Sequence, residues 1–421
     1  MTERGVSVSR ARRIVTGPIG AWAAFVLVHS ALALINLLDT VHLPFGDVVQ
    51  VYRFWMDYAA ENGVLVGIDT GWVYPVGALL PMGIAYLFGP EPYGVVWLGL
   101  VTLLDAAAFA VLLRRRPAAA WWWVAFLAAL GPVALGRLDS VTAPLAILGL
   151  LWLSSRPVLA GALLGLGAWI KVWPAALLAA GVLAVRRRSA LVLGGAGVSL
   201  AVLAAALVLG GGANILGFIA TQGSRGLQVE APVSSWWLWQ SVLGLDGARI
   251  YYDQEILTYQ VLGDGVATAS AAMTPLLVAA VAVLLLLALR AMRRDVGTEA
   301  LLVPLTLALV VAMLVFNKVG SPQFVAWLAA PVLLALVLRR PDALVWAGSV
   351  FAIALLTQIV YPWAYGPLIR GDSLAASVLT LRNLGLVAVL ALAVRALWRL
   401  PGSSHPDPVD RTPTVLTADR T

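Results

Sequence analysis

Three polar stretches of the sequence carry side chains that could bind or activate a substrate. The first, residues 45–53, contains Asp47 and Tyr52 and is followed downstream by a second aromatic group at residues 72–75. A carboxylate such as Asp47 can accept a proton from a hydroxyl group, which is the task of a general base. The alternative is an ordinary solvated carboxylate, because acidic residues are common in loops. We therefore predict Asp47 as a candidate general base.

The second polar stretch, residues 222–232, brings a cation and two hydrogen-bonding side chains close together. Arg225 can clamp a phosphate through its planar guanidinium group, and Gln228 or Glu230 can hold sugar hydroxyls. Trp236 and two further tryptophans follow and offer flat surfaces on which a sugar ring can stack. Aromatic residues also gather at membrane interfaces without any ligand, so the tryptophans have a purely structural alternative.

The third polar stretch, residues 316–324, separates two apolar runs and contains Lys318 and Gln323. Lys318 can neutralise a lipid phosphate, and a departing phosphate needs a cation more than it needs a general acid. The alternative is snorkelling, in which a lysine at a helix end extends to the membrane interface. The stretch is therefore a candidate anion site with an equally simple structural explanation.

Charged residues also stand at two predicted turns between apolar runs. Arg137 and Asp139 lie at one turn, and Lys171 lies at the other. Charges at such depth are costly, which makes them functional candidates. Arg137 and Asp139 can pair with each other, whereas Lys171 has no charged partner near it in the sequence. We therefore expect Lys171 to be the stronger candidate for substrate binding.

The composition requires that membrane helices position these residues. Hydrophobic residues make up 61% of the 421 residues, charged residues make up 12%, and the mean hydropathy is +0.91. These values lie far outside the range of soluble domains. Apolar runs long enough to cross a bilayer recur, for example at residues 190–209 and 271–289, and their continuity indicates helices rather than barrel strands. The chain is predicted to be an all-α polytopic membrane protein.

The positive charge of the chain is explained by its orientation in the membrane. The formal net charge is +7, and the basic residues form short clusters between apolar runs. Such clusters mark cytoplasmic loops and do not resemble a nucleic-acid-binding face. The absence of cysteine excludes disulfides, thiolate metal sites and cysteine nucleophiles. No pair of aspartates has the spacing of metal ligands, so we predict neither a metal nor another cofactor.

The charge distribution predicts about twelve membrane-spanning helices between a basic cytoplasmic N-terminus, residues 1–18, and a disordered cytoplasmic tail, residues 399–421. The transmembrane domain, residues 19–398, then has two long external loops, at about 39–92 and 210–270. The short apolar segment 75–88 is predicted to be a juxtamembrane or re-entrant helix, because a full crossing would place the arginines at 114–116 outside. Several spans are shorter than about 17 residues, so we expect some of them to be packed within protein and not to face lipid.

Taken together, the stretches resemble the GT-C glycosyltransferases, and within them the bacterial family of polyprenyl-phosphate-mannose-dependent α-mannosyltransferases of actinobacterial envelopes. The resemblance covers most of the chain and depends on the order and spacing of several motifs. These are Gly46-Asp47 with Tyr52, Tyr74-Pro75, Leu159-Ala160-Gly161 leading to Lys171 and Pro174, Arg225-Gly226-Leu227-Gln228-Val229-Glu230, and Ser321-Pro322-Gln323-Phe324 with Trp327. Two positions depart from the family pattern: Arg137 replaces a usual glutamine, and Val76 replaces a usual second proline.

The resemblance implies a GT-C-type bundle whose first external loop carries the catalytic aspartate, here Asp47. It implies a mannosyl phosphopolyprenol as donor, and one displacement would convert a β-linked donor into an α-linked product. Asp47 would deprotonate the acceptor hydroxyl, and cations would stabilise the departing phosphate. The predicted donor-binding residues are Tyr52, Lys171, Arg225, Lys318 and Gln323, and the predicted acceptor- or sugar-binding residues are Arg137, Asp139, Gln228, Glu230 and Trp236.

The expected partners are thus the lipid-linked sugar donor, a glycolipid or oligomannoside acceptor and the membrane lipids, at a site on the extracytoplasmic side of the plasma membrane. Two alternatives stay open. A transporter of polyisoprenoid phosphate or lipid would use buried cations to bind a lipid phosphate without chemistry, and a scaffold of an envelope assembly would need nothing special at Asp47. The sequence has no convincing internal repeat, which counts against transporters built from repeated halves.

Overall fold

Helices account for nearly all of the regular structure. The computed structural model describes residues 17–219 and 225–400, so most of the predicted N-terminal segment 1–18 and most of the predicted tail 399–421 lie outside the described residues. Within the described residues, the named strands form one two-stranded antiparallel hairpin. The predicted all-α polytopic class is confirmed.

In the first half of the chain, the described residues form nine helices and several tighter or wider turns. In chain order these elements are α1 (Pro18–Leu38), a π-helical turn (Asp47–Tyr52), α2 (Arg53–Asn62), a 3-10 turn (Val76–Ala78), α3 (Leu79–Ala85), α4 (Tyr93–Arg115), α5 (Pro117–Leu130), a 3-10 turn (Gly131–Ala134), α6 (Leu138–Trp152), α7 (Pro157–Ile170), α8 (Pro174–Ala184) and α9 (Arg188–Val208).

The second half adds the hairpin and the remaining helices. They are 3-10 turns at Ala213–Leu216 and Pro232–Ser234, α10 (Ser235–Val242), β1 (Arg249–Asp253), β2 (Thr258–Leu262), α11 (Val266–Arg293), α12 (Thr298–Val315), a 3-10 segment (Pro322–Leu328), α13 (Ala329–Val337), α14 (Ala343–Gln358), a π-helical turn (Ile359–Trp363), α15 (Tyr365–Ile369) and α16 (Ser373–Trp398).

Each of the twelve predicted spans coincides with an apolar helix. Among the described residues, eight helices are long and apolar enough to cross a membrane: α1, α4, Pro117–Ala134, α9, α11, α12, Ala343–Trp363 and α16. The other four are shorter, namely α6, α7, α8 and Pro322–Val337. Almost every residue of α6 and of Pro322–Val337 is buried, which confirms that some short spans are packed within protein, whereas α7 and α8 are only partly buried. The number of complete crossings stays a prediction.

The basic ends of the helices gather at one end of the bundle. The Arg290 guanidinium, in the last turn of α11, lies 4.2 Å from the ring centroid of Trp398 at the end of α16. Thr298, at the start of α12, donates a 2.8 Å hydrogen bond to the carbonyl of Ala184 at the end of α8. The segments at residues 45–53, 136–139 and 316–324 connect the other ends of their helices. They therefore lie at the opposite end of the bundle.

Small residues bring α7 and α9 into backbone contact, as the spacing of Gly161, Gly165 and Ala168 predicts for this region. A Cβ atom on Gly161 would lie 2.0 Å from the carbonyl oxygen of Leu191, and one on Gly194 would lie 1.9 Å from that of Val158. No side chain fits at such distances. Close approach of backbones is the usual role of small residues between membrane helices.

We expect Gly194→Ala to destabilise the protein, because its methyl group would force α9 away from the Val158 carbonyl of α7. Overpacking of this kind costs about 1–3 kcal/mol. The measurement is the thermal transition of the purified protein in detergent. Gly197→Ala is the matched control, since Gly197 lies on the same helix and a Cβ atom added there would have nothing within 4 Å. Equal transition temperatures for the two variants would contradict the prediction.

Candidate active site

A polar cavity of about 450 Å³ lies at the end of the bundle opposite the basic helix ends. Its volume is within the range of roughly 300–1,000 Å³ that is typical of small-molecule sites. Seven of the predicted site residues line it. They are Asp47, Tyr52, Arg137, Arg225, Gln228, Glu230 and Gln323. The three polar stretches of the sequence therefore meet at one cavity.

Asp47 begins the π-helical turn that follows α1. Phe45 and Val48, on either side of it, are buried, whereas 37% of the Asp47 side chain is exposed. Wide turns of this kind are rare and occur frequently at functional sites. The backbone of Asp47 is thus anchored in the core while its carboxylate reaches the cavity.

Arg137 holds the Asp47 carboxylate. Its Nε atom lies 3.0 Å from Oδ2 of Asp47, and only 5% of its side chain is exposed. The guanidinium also donates hydrogen bonds to the carbonyl oxygens of Pro44 (2.8 Å) and Gly136 (2.7 Å) and to the hydroxyl oxygen of Tyr361 (2.8 Å). Because these acceptors fix the guanidinium, its positive charge has a defined position beside the Asp47 carboxylate.

The predicted pairing of Arg137 with Asp139 is wrong. Asp139 Oδ2 accepts a 2.6 Å hydrogen bond from Lys171 Nζ, and its Oδ1 accepts a 2.5 Å bond from Trp327 Nε1. Arg137 precedes α6, whereas Asp139 lies in its first turn, and residues two positions apart at a helix start do not face each other. Lys171 has no charged partner near it in the sequence, but the end of α7 brings it to Asp139, 32 residues away.

Lys171 lies behind the cavity wall and not in it. Its ammonium group lies 4.8 Å from the ring centroid of Phe324 and 5.6 Å from that of Tyr74, which does line the cavity. Lys318 also does not line the cavity. Its main-chain carbonyl accepts a 3.0 Å hydrogen bond from the backbone N–H of Gln228. The phosphate-binding roles of both lysines stay predictions.

Arg225 is a cation of the cavity wall that no described carboxylate neutralises. Among residues 17–219 and 225–400, none of the ion pairs within 4 Å includes it. Burial lowers the pKa of the Arg225 guanidinium and the nearby Tyr74 acts in the opposite direction, but arginine remains protonated in proteins. A positive group without a protein counter-charge is suited to binding an anion.

Gln228 and Glu230 form a joined pair in the same wall. Gln228 Nε2 donates a 2.5 Å hydrogen bond to Glu230 Oε2, and its Oε1 accepts hydrogen bonds from the Gly320 amide (3.1 Å) and the Ser321 hydroxyl (3.3 Å). Position 320 requires glycine, because a Cβ there would lie 2.3 Å from the Glu230 backbone. The second and third polar stretches are therefore in direct contact.

Arg382, in α16, reinforces this contact. It is buried, and its Nη2 atom donates a 2.8 Å hydrogen bond to the carbonyl oxygen of Glu230 and lies 3.4 Å from that of Gly320. In the sequence, Arg382 lies near the outer end of the last apolar run, where it makes the start of that helix uncertain and indicates no function. The structure shows that it fastens two walls of the cavity to the last helix.

Burial raises the pKa of Glu230 to about 7, against the opposing effects of the Arg382 charge and of hydrogen bonds from Tyr365 and Gln228. The residue is 2% exposed, and the Tyr365 hydroxyl lies 3.4 Å from its Oε2. A carboxyl group with this pKa changes between its neutral and charged forms near physiological pH. Glu230 can therefore act as a hydrogen-bond donor or as an acceptor, depending on pH.

Glu230 should give the protein a pH-dependent stability that Glu230→Gln removes. Its pKa rises from an ordinary 4.5 to about 7 on folding, so the folded protein holds the proton more tightly than the unfolded chain. The contribution of Glu230 to stability is therefore largest below pH 4.5, falls as the pH rises to about 7, and is constant above. Thermal transitions measured between about pH 5 and 8 should fall more steeply in wild type than in Glu230→Gln.

Glu255→Gln is the control for this comparison, because Glu255 lines the same cavity but is exposed. It should keep the wild-type dependence on pH. Parallel curves for wild type and Glu230→Gln would show that burial does not shift the titration of Glu230.

Several lining residues could not be recognised from the sequence. Tyr252, Tyr259, Tyr361 and Tyr365 all line the cavity, whereas Trp236 is 67% exposed and does not. The flat aromatic surfaces at the site therefore belong to tyrosines and to Trp55, and not to Trp236. In the described part of the chain, no group of three or more His, Asp and Glu side chains is placed to hold a metal ion.

Fold and site together define a polytopic membrane protein with a carboxylate-bearing cavity at one end of its helices. A comparison with protein families matches residues 72–274, just under half of the chain, to Glycosyltransferase family 87. The matched segment contains Arg137, Arg225 and Glu230, while Asp47 precedes it. Comparisons with curated proteins and with solved structures gave no match. The family match supports a membrane glycosyltransferase, which acts on a sugar donor and an acceptor.

Proposed function

We propose that the protein is an inverting glycosyltransferase that moves mannose from a polyprenyl-phosphate-mannose donor to a glycolipid or oligomannoside acceptor, with formation of an α linkage. The observation that carries the proposal is the Asp47 carboxylate, which lies 3.0 Å from the Arg137 guanidinium at the cavity. Arg225, which no described carboxylate neutralises, lines the same cavity. The family match supports glycosyl transfer. The choice of mannose and of polyprenyl phosphate follows from the resemblance of the motifs around Asp47, Lys171 and Gln323.

The proposed reaction is a single displacement. Asp47 takes the proton of the acceptor hydroxyl while the hydroxyl oxygen forms a bond to C1 of the donor sugar. The bond between C1 and the phosphate oxygen breaks, and its electron pair leaves with the polyprenyl phosphate. Arg225 stabilises the negative charge that grows on this phosphate. One inversion converts a β-linked donor sugar into an α-linked product.

The proposed reaction takes place on the extracytoplasmic side of the plasma membrane. The arginines in the last turns of α4, α11 and α16 lie at the end of the bundle opposite the cavity, and the positive-inside rule supports a cytoplasmic location for that end. The cavity then lies at the outer leaflet. A lipid-linked donor can diffuse to it within the membrane while its polyprenyl chain stays in hydrocarbon.

The proposal is tested with purified protein, synthetic mannosyl phosphopolyprenol and short oligomannoside acceptors. We expect release of polyprenyl phosphate and a product whose new linkage is α by NMR spectroscopy. Parallel reactions with glucosyl and pentosyl phosphopolyprenols test the choice of mannose. If no donor is consumed with any acceptor, the proposal fails, and movement of polyisoprenoid phosphate across liposome membranes becomes the activity to measure.

A further inference from the structure

Four tyrosines form a continuous row along one wall of the cavity. Ring centroids are separated by 5.0 Å between Tyr252 and Tyr259, by 5.9 Å between Tyr259 and Tyr365, and by 5.5 Å between Tyr365 and Tyr361. The row begins at Tyr252, which is 46% exposed. It ends at Tyr361, whose hydroxyl oxygen accepts the hydrogen bond from Arg137. It therefore leads from the exposed edge of the cavity to the guanidinium that holds Asp47.

The hairpin fixes the outer half of this row. Tyr252 of β1 is directly opposite Tyr259 of β2, and opposed residues of antiparallel strands project from the same face. The Tyr259 carbonyl accepts a 3.0 Å hydrogen bond from the Val229 amide, which places β2 beside the segment that carries Glu230. The outer tyrosines thus have a defined position relative to the centre of the cavity.

The charges beside the row indicate the chemistry of its ligand. Glu230 Oε2 lies 3.4 Å from the Tyr365 hydroxyl, and Glu255 lines the cavity at the hairpin. Carboxylates accept hydrogen bonds from hydroxyl groups and repel anions. Tyrosine rings offer an apolar face and a polar tip, which matches a sugar ring with its C–H face and its hydroxyl rim. A neutral saccharide fits this wall better than a phosphorylated one.

We propose that the tyrosine row is an acceptor subsite for a neutral oligosaccharide of at least two sugar units. The reacting sugar lies beside Tyr361, close to Asp47, and the preceding units stack on Tyr259 and Tyr252. One sugar ring cannot contact all four tyrosines, so the length of the row selects for an extended acceptor. This assignment rests on the proposed function, because it names the substrate class that the same cavity takes opposite the phosphate-binding Arg225.

The test compares acceptors of increasing length at a fixed concentration of mannosyl phosphopolyprenol. For Tyr252→Ala and Tyr259→Ala, KM for mannotriose should rise by about fivefold or more, since loss of one aromatic stacking surface costs about 1–3 kcal/mol in other stacked complexes. KM for methyl α-mannoside should change by less than about twofold, and Tyr252→Trp should restore the wild-type KM for mannotriose. Tyr251→Ala is the matched control, because neighbouring strand residues point to opposite faces.

Binding without donor separates failure of the subsite from failure of the proposed function. Saturation-transfer NMR spectroscopy of the full chain with mannotriose should show binding to wild type and to Tyr251→Ala but weakened binding to Tyr252→Ala. If this holds while no donor is consumed, the subsite stands and glycosyl transfer fails. If transfer occurs but the tyrosine variants keep the wild-type KM for mannotriose, or if a phosphorylated oligomannoside binds more tightly, the subsite is overturned. Absence of both binding and transfer overturns both.

Discussion

Asp47→Asn is expected to lower kcat for glycosyl transfer by about 10²- to 10⁴-fold, which is the contribution typical of a positioned general base. Asparagine keeps the shape of the side chain but cannot take the proton of the acceptor hydroxyl. The Pro44, Gly136 and Tyr361 acceptors still hold Arg137, so the cavity keeps its form and KM for the donor changes little. Single-turnover rates with purified protein and excess enzyme measure the effect on the chemical step directly.

Glu61→Gln is the control for loss of one acidic charge from the segment between α1 and α4, which also contains Asp47. Glu61 is exposed at the end of α2, so this variant should have wild-type activity and thermal stability. If Asp47→Asn retains more than about a tenth of wild-type kcat while Glu61→Gln is unaffected, Asp47 is not the base. Glu230, the buried carboxyl group of the same cavity, then becomes the residue to test.

Arg137→Leu should have the second-largest effect, a loss in kcat of about 10²-fold or more together with lower thermal stability. The substitution leaves Asp47 without its 3.0 Å partner and removes the donor from two carbonyls and one hydroxyl. Removal of one member of a fully buried ion pair costs about 3–5 kcal/mol, and the cost here is smaller because 37% of the Asp47 side chain is exposed to solvent. Arg137→Lys should keep part of the activity, because lysine preserves the charge but lacks the planar set of donors.

A double variant shows whether Arg137 acts through Asp47. If it does, Asp47→Asn with Arg137→Leu should be about as slow as Asp47→Asn alone, because the two side chains work as a unit. Independent roles would instead multiply the two losses. Arg53→Leu is the control for loss of a positive charge, since Arg53 is an exposed residue of α2 with a 3.7 Å contact to Asp57. It should change kcat by less than about twofold.

The membrane helices could be predicted because apolar length and the positions of arginines are properties of single segments. The short helices α6 and Pro322–Val337 were recognisable for the same reason, and their burial followed from a length below that of the bilayer. The segment 75–88 was assigned by parity alone, and a short helix, Val76–Ala85, lies there. Its location at the outer face of the membrane stays a prediction.

Contacts between distant charges could not be predicted, because partner choice depends on which helix ends meet. Asp139 and Lys171 are separated by 32 residues, yet they form a 2.6 Å pair. Arg137 is only two residues from Asp139 in the sequence, but in the structure its Nε atom lies 3.0 Å from Oδ2 of Asp47. The tyrosine row was hidden for the same reason, since Tyr252 and Tyr259 become neighbours only in the hairpin register and Tyr361 and Tyr365 come from a later segment.

The contact of Arg382 with Glu230 and Gly320 has a consequence for biosynthesis. Arg382 belongs to α16, the last helix of the described chain, and is therefore synthesised after every residue that lines the cavity. A nascent chain that already contains Asp47 and Arg137 still lacks the side chain that joins the other two walls. The cavity can therefore reach its final form only after α16 has been synthesised, and a chain that ends before Arg382 lacks the contact that joins these two walls.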